Sequence, residues 1–229
     1  MTIPFSYPVI ALAGLIALSS AGCSLDTGEA GGDDADVVTE KAKVSTQTID
    51  RVDGRCNVGV TFLVVEARSP SASGAINAKL TRTYDQIVEG VQCETTEFAA
   101  KSEMLVAQNG KGLLSLSEVG VASRTGQVVI EVATWTFDLR NGKQLSLGDV
   151  LTSSGMEVLK TTCVSAYTAV GATPDCDVDA SAAKFVIEAK GIRSLQPDAG
   201  VQLGLEGQLV PWNALKGKIK HPLVKALVP

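Results

Sequence analysis

The chain has 229 residues, of which 45% are hydrophobic and 20% are charged, and its formal net charge is −5. This length is sufficient for one domain with a sizeable core. The negative net charge argues against nucleic acid as the main partner, because binding to phosphates requires a basic surface.

The N-terminus carries an export signal. Residues 1–22 contain no charged side chain, and residues 9–18 form an apolar run of ten, which is too short for a membrane-spanning helix and is typical of a signal peptide. The following Ala-Gly-Cys23 resembles the lipobox of bacterial lipoproteins, whose cysteine is lipidated and becomes the mature N-terminus. Ser20 replaces the usual leucine and the basic start is missing, so plain secretion and an uncleaved anchor are the alternatives. Ser24 after the cysteine resembles an outer-membrane address in a Gram-negative cell.

Composition divides the mature chain into three parts. Residues 24–46 contain several aspartates and few large apolar side chains, so they cannot bury enough surface to fold. The sequence therefore predicts Cys23 with an acidic tether in residues 23–46, a single domain in residues 47–216 and a basic tail in residues 217–229. The tail is expected to be solvated, with contact to anionic lipid or cell-wall polymer as the alternative.

Four cysteines remain after Cys23. An even number in an exported chain predicts two disulfides. Three pairings are possible, and we favour Cys56–Cys93 and Cys163–Cys176 because each pair lies within one local unit of structure. A zinc site is disfavoured because the sequence has no CxxC motif and only one histidine, His221 in the tail.

The first half of the domain alternates between strands and a helix. Residues 57–66 are apolar on both faces and predict a central strand, and Pro70 opens a helix that is expected to reach Val88. Two further strands are predicted over residues 98–106 and 113–121, with a turn at Asn109-Gly110 between them.

Residues 128–139 alternate with a period of two, the signature of a strand. Both faces are apolar over the first half, whereas Thr134, Thr136 and Asp138 make one face polar over the second half. This pattern predicts an interior strand whose end emerges toward solvent. Asn141-Gly142 then predicts a hairpin turn, and the spacing of Ser146 and Asp149 predicts a capping box.

The remaining elements complete the fold class. A second capping box, Ser154 to Glu157, predicts a helix that includes Val158 to Val170, and strands are predicted over residues 185–187 and 201–205. The order of elements predicts an α+β fold, a mainly antiparallel sheet with two principal helices packed on it.

Short motifs resemble a family of extracytoplasmic domains of unknown function. These form the outer domain of RsiV-like anti-sigma factors, which sense lysozyme, and the non-catalytic domain of PdaC-like peptidoglycan deacetylases. The motifs are Gly112-Leu113-Leu114-Ser115-Leu116, Phe137-Asp138-Leu139, Gly142-Lys143 with Leu145, Leu147 and Asp149, Ile76-Asn77, Phe185 with Gly191, and Val210-Pro211-Trp212 with Leu215. The family often has a Gly-Ala-His-Gly turn where this chain has residues 124–127, so a role of that turn cannot be carried over.

Catalytic and metal-binding patterns are scarce. The sequence has no P-loop, HExxH or GxSxG motif, and a Ser-His-Asp triad would need His221. Asp175, Asp177 and Asp179 alternate like the start of a calcium loop, but Ala180 and Val186 stand where an EF-hand needs Gly and Glu. A solvated acidic turn is the preferred interpretation, and no cofactor is predicted.

These observations favour a non-catalytic binding module anchored in the cell envelope. The resemblance implies a protein partner, such as a lysozyme-like hydrolase, or the cell wall itself. It places the contact surface in exposed loops around residues 124–127 and 138–143, with Arg124, Gln127, Arg140 and Lys143 as candidate binding residues. A structural envelope lipoprotein is the alternative, and a cell-wall hydrolytic enzyme is a third hypothesis.

The first testable prediction concerns the lipid anchor. Mass spectrometry of the membrane-extracted protein is expected to show cleavage before Cys23 and a diacylglyceryl adduct on its sulfur, because the apolar run ends in Ala-Gly-Cys. A Cys23→Ser variant serves as the control and should be released from the membrane. A mature N-terminus elsewhere, or an unmodified Cys23, would contradict the prediction.

Overall fold

A computed structural model describes residues 40–169, 176, 184–195 and 207–229. The strands are β1 Lys43–Asp53, β2 Cys56–Glu66, β3 Phe98–Gly110, β4 Leu113–Arg124, β5 Gln127–Asp138, β6 Lys143–Gln144, β7 Phe185–Glu188, β8 Gly191–Ser194 and β9 Gln208–Pro211. The helices are α1 Pro70–Leu80, α2 Tyr84–Val88, α3 Leu147–Val150, α4 Ser153–Ala169 and α5 Pro222–Lys225, with a 3-10 helix at Trp212–Leu215.

The predicted α+β class is confirmed. Within the described residues, six strands form a large sheet in the order β1-β2-β3-β4-β5-β6, and β7-β8-β9 form a small antiparallel sheet. All neighbours in the large sheet are antiparallel except β2 and β3, which run parallel because α1 and α2 cross between them. The sequence predicted one sheet, and the second sheet is built from short strands after residue 184 that carry little periodicity of their own.

Both predicted disulfides are present. Cys56 at the start of β2 pairs with Cys93 after α2, with 5.2 Å between their Cα atoms. Cys163 on α4 pairs with Cys176, with 5.8 Å between the Cα atoms. The first bridge closes the crossover between the two parallel strands, and bridges of this kind typically stabilise a fold by about 2–4 kcal/mol.

Strand β1 was not predicted and begins inside the expected tether. Its sequence is polar and seven of its eleven residues are charged or hydroxyl-bearing, so it lacks the apolar alternation of a strand. It forms because each residue from Lys43 to Asp53 pairs with β2, and the Lys43 ammonium contacts the Glu66 carboxylate at 3.1 Å. Tertiary pairing therefore overrides a weak local propensity.

The helix expected to reach Val88 is divided in two. Helix α1 ends at Leu80, and Thr83 starts α2 with a reciprocal capping box: its hydroxyl accepts from the Gln86 N–H, and the Gln86 side chain accepts from the Thr83 N–H. The cap satisfies backbone donors that an unbroken helix would satisfy itself. The break directs Arg82 toward the large sheet.

The turn between β3 and β4 lies two residues later than predicted. Its central residues are Lys111 and Gly112, with φ values of 54° and 73°. Asn109 belongs to β3 instead, where its side chain accepts from the Ala42 N–H at 3.0 Å and donates to the Ala42 carbonyl at 2.9 Å. Asn109 therefore does not form the turn; its side chain instead links β3 to the segment before β1.

The core lies on both faces of the large sheet. One face packs against α1 through a cluster that includes Ile76, Leu80, Leu116 and Phe137. The other face packs against β7 of the small sheet, whose far side contacts α4. All described residues belong to one compact unit, residues 33–229, and none of its described helices is long and apolar enough to cross a membrane.

The end of β5 is buried, although it was expected to emerge toward solvent. Thr136 and Asp138 are almost inaccessible. The Thr136 and Ser115 hydroxyls are hydrogen-bonded at 2.8 Å, and Ser115 Oγ accepts from the Ile187 N–H of β7 at 2.9 Å. Polar side chains can occupy a buried face when their hydrogen bonds are satisfied in this way.

Residues 217–229 were expected to form a solvated basic tail, but their apolar side chains pack into the core. Ile219 forms a β-bridge with Leu151, and Leu223 and Val224 are buried in the cluster beneath the small sheet. The lysines alternate with these apolar residues and point outward, which is why composition alone suggested a tail. His221 is also held, since its N–H donates to the Val150 carbonyl at 3.3 Å.

A matched pair of variants tests this packing. Leu223→Ala is expected to lower the free energy of unfolding by about 2–5 kcal/mol, the usual cost of truncating a buried leucine. Lys225→Ala on the exposed face of the same helix should change it by less than about 0.5 kcal/mol. Urea denaturation measures both values. A Leu223→Ala variant with an unchanged free energy of unfolding would support a solvated tail.

Candidate functional site

The first half of β5 is the most exposed apolar segment that the structure describes. Val128, Val129 and Ile130 keep 65%, 53% and 38% of their surface accessible. The strand was expected to be buried at this end, and the structure reverses that expectation. Exposed apolar patches on a protein surface are often interaction sites.

The backbone of this segment is also open. The Thr136 carbonyl accepts from the Leu145 N–H at 2.7 Å on the side away from β4. Since peptide groups alternate along a strand, Val128, Ile130, Val132 and Thr134 direct their N–H and C=O groups to that same side. Strand β6 pairs only with Phe137 and Asp138, and no described residue gives these four a backbone hydrogen bond.

The opposite edge of the sheet is built differently. Strand β1 also has one free side, but its sequence KVSTQTIDRVD is polar, with four charged residues. Charged side chains on an edge strand discourage pairing with other chains. The two edges of one sheet therefore differ, and only β5 combines open backbone groups with apolar side chains.

A trough of about 1280 Å³ runs over β1 to β4 on the face that carries the small sheet, and its lining mixes apolar side chains with charged ones such as Lys101 and Glu103. Leu105, Val119 and Val121 contribute to its floor, and Val186 and Leu195 come from the small sheet. Val121 is directly opposite Ile130 in the register of β4 and β5, so the trough floor continues to the open edge. Edge and trough together form what we call the β5 surface, comprising Leu105, Val119, Val121, Val128 and Ile130.

Two of the predicted binding residues lie at one end of the β5 surface. Arg124 and Gln127 are exposed and flank the two-residue turn that joins β4 to β5. The turn has positive φ at both central residues, 48° at Thr125 and 83° at Gly126, as in a type I′ hairpin. A β-branched residue rarely adopts this conformation, and the Thr125 N–H is held by the Glu97 carbonyl at 3.1 Å.

The other two predicted residues lie at the far end of the same strand. Residues 127 and 138 are eleven steps apart in an extended strand, which separates the two loops by about 36 Å. The structure does not bring Arg140 and Lys143 together with Arg124 and Gln127. One contact surface could include both loops only if it followed the whole length of β5.

Arg140 and Lys143 have structural partners. The Arg140 guanidinium donates to both carboxylate oxygens of the buried Asp138, with Nη2–Oδ2 at 2.5 Å, and its N–H also donates to Oδ1. Lys143 Nζ lies 3.0 Å from Asp149 Oδ1, and Asp149 accepts from the Ser146 N–H, which confirms the predicted capping box. These contacts fix the loop conformation.

The charges at this end influence one another. Burial by itself raises the pKa of Asp138, but the hydrogen bonds and charge of Arg140 outweigh it, so the pKa is lowered. The Ser146 hydrogen bonds lower the pKa of Asp149 to about 2. Burial lowers the pKa of His221, partly opposed by the Asp138 charge. The carboxylates therefore stay ionised and act as ion-pair partners near neutral pH.

Several predicted residues cannot be placed. Cys23, Asp175, Asp177 and Asp179 lie outside the described residues. Within the described ranges, no cluster of three histidine, cysteine or acidic side chains could hold a metal ion.

The β5 surface was not predicted because apolar alternation in a strand indicates burial. The position of Val128 and Val129 directly after the turn could have predicted their exposure, since the turn end of a hairpin is the least covered by other elements.

A pair of variants tests the role of Arg140. Arg140→Ala is expected to lower the free energy of unfolding by about 1–3 kcal/mol at neutral pH, because the buried Asp138 carboxylate loses its charged donor. Arg124→Ala at the exposed turn should change it by less than about 0.5 kcal/mol. Chemical denaturation of the two variants and the wild type gives both values.

The same variants predict a pH dependence. Folding lowers the pKa of Asp138 from its ordinary 3.8, so its stabilisation is complete above that value and is lost as pH falls through the lower folded value. The difference between wild type and Arg140→Ala should therefore shrink as the pH falls below the ordinary pKa of 3.8. An unchanged difference in acid would contradict the ion-pair explanation.

The fold is similar to that of two solved proteins. A member of the DUF3298 family from Bacteroides fragilis NCTC 9343 has a TM-score of 0.59 at 13% identity, covering 82% of this chain and 98% of its own. A DUF3298 family protein from Pseudomonas aeruginosa PAO1 has a TM-score of 0.52 at 13% identity, covering 82% and 96%. No model of a protein family and no curated protein matches the chain. The chain therefore shares the fold of DUF3298 proteins, a domain of unknown function.

Proposed function

We propose that this protein is a non-catalytic binding module of the cell envelope, which holds an extended segment of a partner protein along β5. The observation that carries the proposal is the β5 edge from Val128 to Thr134, which exposes apolar side chains over residues 128–130 and whose outward N–H and C=O groups have no backbone partner among the described residues. Strand addition to an open edge is a common mode of peptide recognition.

The energetics are favourable for an added strand. Four outward residues offer four donors and four acceptors, and each hydrogen bond formed contributes about 0.5–1.5 kcal/mol net. Covering an exposed valine or isoleucine contributes about 1.5–3 kcal/mol more when burial is complete. Side chains from alternate positions of the added strand would enter the trough beside Val121, which would give sequence selectivity.

A protein partner suits this surface better than a glycan. Sugar rings are usually bound on exposed aromatic faces, whereas Trp212 is buried and Trp135 packs against the α1 side of the sheet. No aromatic side chain lines the trough or belongs to the β5 surface. The resemblance to lysozyme-sensing domains makes a lysozyme-like hydrolase the first partner to test, in the envelope where the Cys23 signal would place the chain.

The test introduces charge on the β5 edge and leaves the backbone hydrogen bonds between β4 and β5 in place. The double variant Val128→Lys/Ile130→Lys is expected to weaken binding of purified lysozyme at least about tenfold by calorimetric titration, because an ammonium in the interface must be desolvated. The matched control is Val52→Lys, which introduces the same charge on the β1 edge at a valine that is 74% exposed. It should bind like the wild type, and all variants should keep their melting temperature.

Three outcomes would redirect the proposal. Binding that survives the double variant would exclude the β5 edge. Self-association that disappears in the double variant would identify a second copy as the occupant, as in a structural envelope lipoprotein. Turnover of peptidoglycan that is lost on substitution of one carboxylate would make the protein an enzyme.

A further inference from the structure

A second cavity lies on the opposite face of the same hairpin, toward α2 and Arg82 before it. It encloses about 620 Å³, and part of its lining is Gly120, Ala122 and Ala133 of β4 and β5 with Ala100 and Ser102 of β3. These small side chains leave room where larger residues would fill the space between sheet and helices. A Cβ added at Gly120 would meet Ser102 Cβ at 3.5 Å, an ordinary contact, so the backbone does not require glycine there.

Glu118 lies at the buried end of this cavity. It is only 3% exposed, and neither of its carboxylate oxygens has a hydrogen-bond donor among the described residues. Arg82 Nη2 is 3.3 Å from Oε2, close enough for an ion pair but outside hydrogen-bond geometry. The pair thus reduces the cost of the buried charge without satisfying its acceptors.

Ser102 adds a second unpaired group to the same space. Its hydroxyl oxygen is buried and has no partner among the described residues. Ser102 is opposite Gly120 and Glu118 is opposite Met104, so the two polar side chains are diagonal neighbours on one face with no side chain at Gly120 between them. Leaving a buried donor or acceptor unsatisfied costs about 1–3 kcal/mol, more for a charged group.

The charges around the cavity are arranged by depth. The buried group is the Glu118 carboxylate, whereas the other charged residues that line the cavity, Arg82, Lys101, Lys184 and Glu131, are more accessible. Val60, Ile87 and Phe98 supply an apolar wall. A complementary ligand carries N–H donors at one end, an anionic acceptor at the other and an apolar side group.

We propose that this cavity binds a free α-amino acid with an apolar side chain. Its ammonium group donates to Glu118 and Ser102, its carboxylate accepts from Arg82 and Lys184, and its side chain packs against Val60 and Phe98. The proposal is independent of strand addition at β5, since it concerns the other face of the sheet and different side chains.

Three related compounds test the recognition of both charges. L-leucine carries both groups, 3-methylbutylamine lacks the carboxylate and 4-methylpentanoate lacks the amine. In an NMR titration at millimolar concentration, leucine is expected to shift the amide signals of Glu118, Gly120 and Ser102 in a saturable manner. Each analogue should bind at least about tenfold more weakly, because a site built for a polar group rejects ligands that lack it.

Variants locate the site. Glu118→Gln and Ser102→Ala should weaken leucine binding, and Gly120→Val should abolish it by filling the cavity, while its Cβ makes only an ordinary contact. Glu103→Gln, an exposed neighbour on the other face of β3, is the matched control and should bind normally. Signal dispersion in the same spectra verifies that each variant is folded.

Two results would overturn the proposal. If leucine shifts none of these signals, the cavity holds only water. If the amine alone binds as tightly as leucine, Arg82 and Lys184 take no part and the site does not recognise an amino acid. Lysozyme binding by Glu118→Gln is expected to be unchanged, which separates this site from the β5 surface.

Discussion

The buried Ser115 hydroxyl is the contact on which the two-sheet arrangement depends. It is hydrogen-bonded to Thr136 across the large sheet and accepts from the Ile187 N–H of the small sheet at 2.9 Å. Thr134 Oγ1 accepts from the Phe185 N–H in the same way, at 3.2 Å. The free edge of β7 therefore finds its acceptors on side chains of the large sheet, which satisfies backbone groups that would otherwise be buried without partners.

This docking also explains what stays uncovered. Strands β7, β8 and β9 have four residues each, about 13 Å, whereas β4 and β5 have twelve, about 40 Å. Anchored at Ser115 and Thr134, the small sheet covers β5 from Asp138 back to Val132, which packs against Val186 and Leu195. The apolar start of the strand remains open, together with the trough beside it.

Both proposed sites lie in the half of the β4–β5 hairpin next to its turn, and they occupy opposite faces of it. Small residues and unsatisfied groups there contribute little to stability, and Thr125 adds a strained turn. The other half of the hairpin carries the dense packing around Phe137, Leu139 and Leu116. The dense packing thus lies at one end of the hairpin and both proposed sites lie at the other, in line with the general tendency of binding surfaces to occupy less tightly packed regions.

The sequence by itself determined the α+β class, the strands β2 to β5, the Ser146 capping box and both disulfides, because each depends on local periodicity, spacing or cysteine parity. Only the tertiary structure decided which apolar residues are buried. Alternation shows that a strand has two apolar faces, but the four-residue strands that cover it come from elsewhere in the chain. Thus Thr136 and Asp138 are buried by β7 and Arg140, whereas Val128 and Ile130 are exposed. The burial of Glu118 was not predicted either, since a carboxylate in a strand is usually solvated, and it results from the packing of Arg82 and α2 against that face of the sheet.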